Sequence, residues 1–208
     1  MTDSSTPTLE KDASADWLKL ILILFEKAAP YLSIRQDMDH TRVSHGYALT
    51  LLQHEGGDRR VVEPAVILHD VGWSVLNPDA IAAAFGVEAK GEEARRLNRI
   101  HETEGAAIAA EILHSVDYDP GLVKKITAII RRHDSGQVAR SLEEELVKDA
   151  DKLWRFSRTG YWQETKRQHL KPDALIQYLE LRYKNWFFSS TALILAREEL
   201  ARRQSEIL

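Results

Sequence analysis

Apolar residues recur along this chain at helical spacing, and no two segments read as a strand pair or as repeats of one another. The most apolar run, Trp17 to Phe25 (WLKLILILF), contains Lys19 and leads into Glu26 and Lys27. It is far shorter than the ~20 residues a bilayer span requires, so it reads as a buried helix. Before it, Met1 to about Ala15 is rich in Ser, Thr and Asp with no apolar period; residues 1–15 are expected to be disordered. A basic stretch followed by an apolar one, the mark of a signal peptide, is missing there. Val43, Tyr47, Ala48, Leu51 and Leu52 form a helical face after His40, closed by Gly56 and Gly57. Val61 to Asp70 predicts a second helix that tolerates Pro64 only in its first turn, and Gly72 stops it. Asn77-Pro-Asp79 opens a short Ala-rich helix, and Thr103 to Leu113 forms another. Asp119 and Pro120 read as cap and first position of a helix to about Arg132. Ser141-Leu-Glu-Glu144 has the form of a capping box and starts a helix through Phe156. Pro172 to about Trp186 and Ser190 to about Ser205 complete an all-α chain.

Composition then narrows the chemistry. The 208 residues include eight His and no Cys, which removes disulfides, thiolate zinc sites, iron–sulfur clusters and cysteine nucleophiles together. A transition metal here must be held by imidazole and carboxylate, a donor set suited to Fe, Mn, Ni, Zn or Mg. With 28 Lys and Arg against 32 Asp and Glu, the net charge of −4 offers no general attraction to nucleic acid. The expectation is a cytoplasmic protein with no membrane contact and no nucleic-acid duplex as partner.

The ordered set His40, His69-Asp70, His101, His133 and Asp151 stands out, each near a predicted helix end where side chains can converge on an interhelical cavity. Neighbours on a helix diverge by about 100°, so Asp70 could bridge two ions while His69 holds one. A buried helix ending in two ionisable groups needs compensation, and a metal supplies it. The remaining histidines, His45, His54, His114 and His169, read as surface or satisfied core residues. Glu143 to Glu145 read as a solvated helix start, and the tryptophans at 17, 73, 154, 162 and 186 as core or interface anchors.

Three strings carry a resemblance: His40-Thr-Arg-Val43, Ile67-Leu-His-Asp-Val-Gly72 and Val147-Lys-Asp-Ala-Asp-Lys-Leu153. Together they resemble the H…HD…D signature of the HD-domain superfamily of metal-dependent phosphohydrolases, over roughly His40 to Leu153. The resemblance implies a single HD-type helical domain over 16–208, with its core at about 35–158 and a C-terminal helical extension at 159–208. It assigns His40, His69, Asp70 and Asp151 as ligands of a first metal. Asp151 is preferred over Asp149 because the family form is Ala-Asp-Lys/Arg-Leu/Ile. His101, in Arg99-Ile-His-Glu-Thr-Glu-Gly105, and His133, in Ile129-Ile-Arg-Arg-His133, match the positions that mark binuclear members. Some members carry a second His where Asp134 stands here.

The implied function is hydrolysis of a phosphate ester, such as a nucleotide or cyclic nucleotide, by water activated between two divalent ions that Asp70 bridges. Lys152 and Arg155, with Arg155 four residues after Asp151, are candidate cations for the substrate phosphoryl group, or members of a solvated helix face. Arg131 and Arg132 carry the same two readings. Trp73 is either a wall of the substrate pocket or core. Two alternatives share the ligand pattern: a di-iron oxygenase of the same fold, and a non-catalytic regulatory or binding module. The aromatic-rich extension after Asp151 either packs back on the bundle or forms a homodimer face.

Overall fold

The computed structural model describes residues 6–35, 37–84 and 91–207. It is all-α: α1 Thr6–Leu32, α2 Met38–Glu55, α3 Arg59–Leu68, α4 Pro78–Ala84, α5 Gly91–His114, α6 Pro120–Ile130, α7 Leu142–Leu153, α8 Arg158–Arg167, α9 Pro172–Trp186 and α10 Ser190–Ile207. Short 3-10 helices follow α3 (Val71–Val75) and α7 (Trp154–Phe156). No helix among the described residues is long and apolar enough to cross a membrane.

The helix α3 is the axis of the fold. Every residue from Val61 to Leu68 is buried, and α1, α2, α6 and α7 pack around it. Pro64 lies in its second turn rather than its first, so the Arg60 carbonyl receives no helical N–H. The Tyr118 hydroxyl donates to that carbonyl at 2.6 Å, which is how the core helix tolerates the proline. Removing the hydroxyl leaves a part-buried acceptor without a partner, so Tyr118→Phe is expected to lower stability by about 1–3 kcal/mol in urea unfolding. An unchanged midpoint would mean that water replaces the hydroxyl.

Glu63 is also buried on α3, and three donors satisfy it: Trp17 Nε1 at 3.0 Å, His45 Nε2 at 2.9 Å and Arg59 Nε at 2.8 Å. His45 is therefore a satisfied packing residue, while His54, His114 and His169 are exposed.

Several expectations are corrected. The chain is helical from Thr6, so the disorder expected through Ala15 does not extend there; residues 1–5 lie outside the described residues. A helix already nucleated by a buried segment extends through polar residues at little cost, without an apolar period. Only one face of α1 is buried (Ile21, Leu24, Ala28, Leu32), with Leu18 and Leu22 exposed. The helix α5 starts at Gly91, well before Thr103, and α8 was not anticipated. Glu144 is buried, with the Arg132 guanidinium 2.8 Å away, and so does not belong to a solvated face. The C-terminal helices pack back on the bundle: Leu175, Ile176 and Leu179 of α9 and Ala192, Ala196 and Leu200 of α10 are buried in the main core.

Candidate metal centre

The site is assembled from helix ends and one helix middle. His40 lies in the first turn of α2, Asp151 in the last turn of α7, and His69 and Asp70 where α3 gives way to the 3-10 helix. His133 follows the end of α6, and His101 sits mid-way along α5 because that helix begins earlier than expected. All six side chains are buried.

The end of α3 and the end of α6 use the same device. His69 Nδ1 donates to the Val66 carbonyl at 2.7 Å, and His133 Nδ1 donates to the Ile130 carbonyl at 2.8 Å. Each histidine thereby satisfies a terminal helix carbonyl, and each ring is left with Nε2 turned inward. A second set of contacts fixes the other rings. His40 stacks on Trp154 with centroids 5.2 Å apart, and His101 stacks on Trp73 at 3.9 Å. Trp73 Nε1 also donates to Asp70 Oδ1 at 3.0 Å, so one indole orients both a carboxylate and an imidazole.

Asp70 sits between the two groups of rings. Its Oδ2 lies 3.6 Å from His69 Nε2 and 3.7 Å from His40 Nδ1. Its Oδ1 lies 3.7 Å from His101 Nε2 and 3.6 Å from His133 Nε2, and these two nitrogens are 3.3 Å apart. Asp151 Oδ1 completes the first group, 3.0 Å from His40 Nε2 and 3.5 Å from His69 Nε2. Three sets of donor atoms are close enough to share an ion: His40, His69 and Asp151; His69, Asp70 and His133; His101, His133 and Asp134. Asp134, the departure from a second histidine, thus belongs to a donor set while lying exposed at its edge.

Electrostatics agree with a cation site. Burial raises the cost of charge on Asp70 and Asp151, yet the facing imidazoles hold both carboxyls well below their ordinary range. Burial likewise opposes charge on His69, but Asp70 and Asp151 push its pKa up to about 10. Burial and the neighbouring His133 bring His101 down to about 3. A metal fits the donors present: His69 Nε2 and His40 Nδ1 are buried and lack a hydrogen-bond partner, and all donors are N or O.

The raised His69 pKa sets a sign for metal binding. Nε2 must lose its proton to become a donor, so below pH about 10 binding an ion releases at least one proton. The apparent affinity for Zn²⁺ or Mn²⁺ is expected to rise about tenfold per pH unit between roughly pH 6 and 9. Titration calorimetry in buffers of different ionisation enthalpy measures the proton count directly; a pH-independent affinity would contradict it.

The residues expected to meet substrate are placed differently from one another. Trp73 is buried, so it is not a free pocket wall; it packs on His101, and the Arg35 guanidinium lies 4.5 Å from its ring centre. Lys152 donates to the Trp186 carbonyl at 2.6 Å and lies over the Phe188 ring, which ties α7 to the end of α9. Arg155 lines a cavity of about 110 Å³ together with Asp134, Asp151, Lys152, Tyr178 and Trp186. This cavity opens onto the Asp151 side chain, and α9 walls one side of it. Asp149 accepts from Ser189 N and Oγ, both at 2.8 Å, and fastens the start of α10 rather than joining the cluster.

Three supporting residues escaped the sequence reading. Arg35 lies 2.9 Å from Asp37 and 3.8 Å from Asp70, and nothing in its neighbourhood signals that role. Glu102, buried beside His101, accepts from Asp134 N at 3.0 Å, Ser135 N at 2.8 Å and Ser135 Oγ at 2.7 Å. Its adjacency to His101 was the available signal. Lys148 of α7 is buried and donates to the carbonyls of Arg132 (2.6 Å), His133 (2.7 Å) and Gly136 (2.9 Å). Glu102 and Lys148 together hold the turn that carries His133.

A family model for the HD domain matches residues 38–155, which runs from the first turn of α2 to the residue beyond Trp154. A crystal structure of a predicted HD superfamily hydrolase from an uncultured Thermotogales bacterium is similar, with a TM-score of 0.59 and 19% identity over 91% of this chain and 87% of that one. At that identity the likeness is one of fold. The match of the family model spans more than half of the sequence and contains all six clustered His and Asp side chains, and on it the chain belongs to the HD domain family.

Proposed function

We propose that this protein is a metal-dependent phosphohydrolase that cleaves a small phosphate ester at a two-ion His/Asp centre. The observation that carries the reading is the division of four imidazoles between the two oxygens of one buried carboxylate, Asp70. His40, His69, Asp151 and Asp70 Oδ2 would hold one ion, and His101, His133 and Asp70 Oδ1 the other, with Asp134 as a further donor. When bound, divalent ions polarise a phosphoryl oxygen and lower the pKa of water towards neutrality. Trp73 fixes the Asp70 carboxylate through Oδ1, and the two Nδ1–H···O=C bonds keep His69 and His133 in the tautomer that presents Nε2.

Arg155 is the residue to which we assign the substrate phosphoryl group, since it shares the cavity with Asp151. Lys152 supports that wall through Trp186. A volume of about 110 Å³ is small beside the roughly 300–1,000 Å³ of pockets that enclose drug-sized ligands. It takes a phosphoryl group and a few further atoms, so the rest of a nucleotide would lie outside the cavity.

The test is a panel of phosphomonoesters, phosphodiesters and nucleotides with Mn²⁺-, Ni²⁺-, Zn²⁺- and Fe²⁺-loaded protein. Release of phosphate or of a monoester supports the reading. Absence of turnover together with iron-dependent O₂ uptake after anaerobic loading would replace it with the oxygenase. No turnover of either kind with intact metal binding would leave a regulatory module.

A further inference from the structure

On the far side of the turn that carries His133, a cavity of about 530 Å³ is lined by Arg99, Lys124, Arg131, Arg132 and Arg140, with the hydroxyl residues Thr127 and Ser135 between them. Five cations meet there and no carboxylate lines the wall. None of the six clustered metal ligands takes part. Two of the five have partners behind the wall: Arg99 pairs with Glu102, and Arg132 Nε lies 2.8 Å from Glu144 Oε1. Lys124, Arg131 and Arg140 are exposed, and their side chains have no hydrogen bond or ion pair among the described residues.

The ordinary preference of basic side chains for a helix C-terminus accounts for Arg131 and Arg132, which follow α6. It does not account for Arg99 on α5, Lys124 in the middle of α6, or Arg140 before α7. Like charges brought together from three segments of the chain repel one another, and a bound anion relieves that repulsion. The pocket is concave and several times larger than the cavity at Asp151, so it fits a compact polyanion rather than a single phosphate.

We infer that this cavity is a second ligand site, for a small molecule carrying two or three adjacent phosphoryl groups. Arginine and lysine supply charge-assisted hydrogen bonds to such groups, while the Thr127 and Ser135 hydroxyls already donate to the Val123 carbonyl and to Glu102. Its floor is shared with the metal centre. Arg99 Nη1 donates to the Arg131 carbonyl and to Ser135 Oγ, both at 2.8 Å, and so touches the turn bearing His133 and Asp134. The site stands on charge and shape alone and holds whether or not the metal centre hydrolyses phosphate esters.

Inorganic tripolyphosphate is the probe, measured by calorimetry against the full chain carrying its metal, with orthophosphate beside it. Tripolyphosphate is expected to bind more tightly than orthophosphate, with an affinity that falls as salt rises. Replacing the three exposed cations together (Lys124→Ala, Arg131→Ala, Arg140→Ala) is expected to weaken it by roughly tenfold or more. Asp70→Asn, which damages only the metal centre, is expected to leave that affinity in place. Binding lost in Asp70→Asn and kept in the triple variant would overturn the inference, because the probe would then be on the metals. So would a single-stranded oligonucleotide that binds more tightly than tripolyphosphate through the same three residues.

Discussion

Asp70→Asn is expected to lower the proposed phosphate-ester turnover by about a thousandfold or more, while the far-ultraviolet dichroism stays that of a helical protein. The magnitude follows from what the substitution removes. Both oxygens of Asp70 face imidazole nitrogens at 3.6–3.7 Å, so the side chain serves both halves of the cluster at once. An amide keeps the shape but replaces one acceptor with an NH₂ donor and removes the negative charge. Metal ions in such sites supply several kcal/mol of transition-state stabilisation, and each factor of ten in rate is about 1.4 kcal/mol. Metal content by elemental analysis should fall in parallel, most for an ion whose only carboxylate is Asp70. A variant that kept both full metal content and full turnover would remove Asp70 from the bridging position proposed for it.

The second large effect lies in Gly72. A Cβ built there would stand 2.0 Å from the His101 carbonyl oxygen and 2.5 Å from the Gly105 nitrogen, both backbone atoms of α5. The 3-10 helix after α3 therefore touches α5 with no side chain between them, which brings Asp70 within reach of His101. Gly72→Ala must push the two elements apart. We expect a loss of about 3 kcal/mol or more, at the upper end of overpacking costs. For a domain of this size that is a fall of roughly 6–12 °C in Tm by calorimetry. Gly46, inside α2, is the control: a Cβ there meets nothing within 4 Å, and Gly46→Ala should be neutral or stabilising. Equal melting temperatures for Gly72→Ala and wild type would show that the contact relaxes freely.

That contact also shows where sequence reading stops. Gly72 could be seen as a helix stop, because a glycine after an apolar run is a local signal. That it marks a crossing with Gly105 depends on residues 33 positions apart in the chain meeting in space. The same divide runs through the site. The convergence of His40, His69, Asp70, His101, His133 and Asp151 was legible because their types and neighbours form short strings in a fixed order. Trp73 was not legible as a support for His101, since the stack forms only when α5 crosses the 3-10 helix. Lys152 lines the cavity at Asp151, but its carbonyl partner, Trp186, lies in the extension the motif does not cover and was not legible.

Local patterns failed for other physical reasons elsewhere. The polar helix α8 offers little apolar periodicity; its start rests on Ser157 Oγ, which accepts from Gly160 N at 3.0 Å, and Tyr161 and Glu164 are its buried anchors. Glu144 looked solvated beside two other glutamates. It is buried because Arg132 and the Arg140 N–H satisfy it, and those partners are set by the turn before α7. Buried charges of this kind are invisible to hydropathy, which assigns every Glu and Lys to the surface.

Lys148 illustrates what such a charge achieves. Its ammonium, enclosed by three carbonyl oxygens of the turn at 132–136, acts as an internal cation around which that turn is wound. Its three donors are all used, and no ligand is needed to complete them. The conformational entropy of the turn is therefore lost once, when the chain folds, and would not be lost again on binding of the ion proposed at His133. Preorganisation of this kind lets more of the intrinsic strength of an imidazole–metal bond appear as affinity.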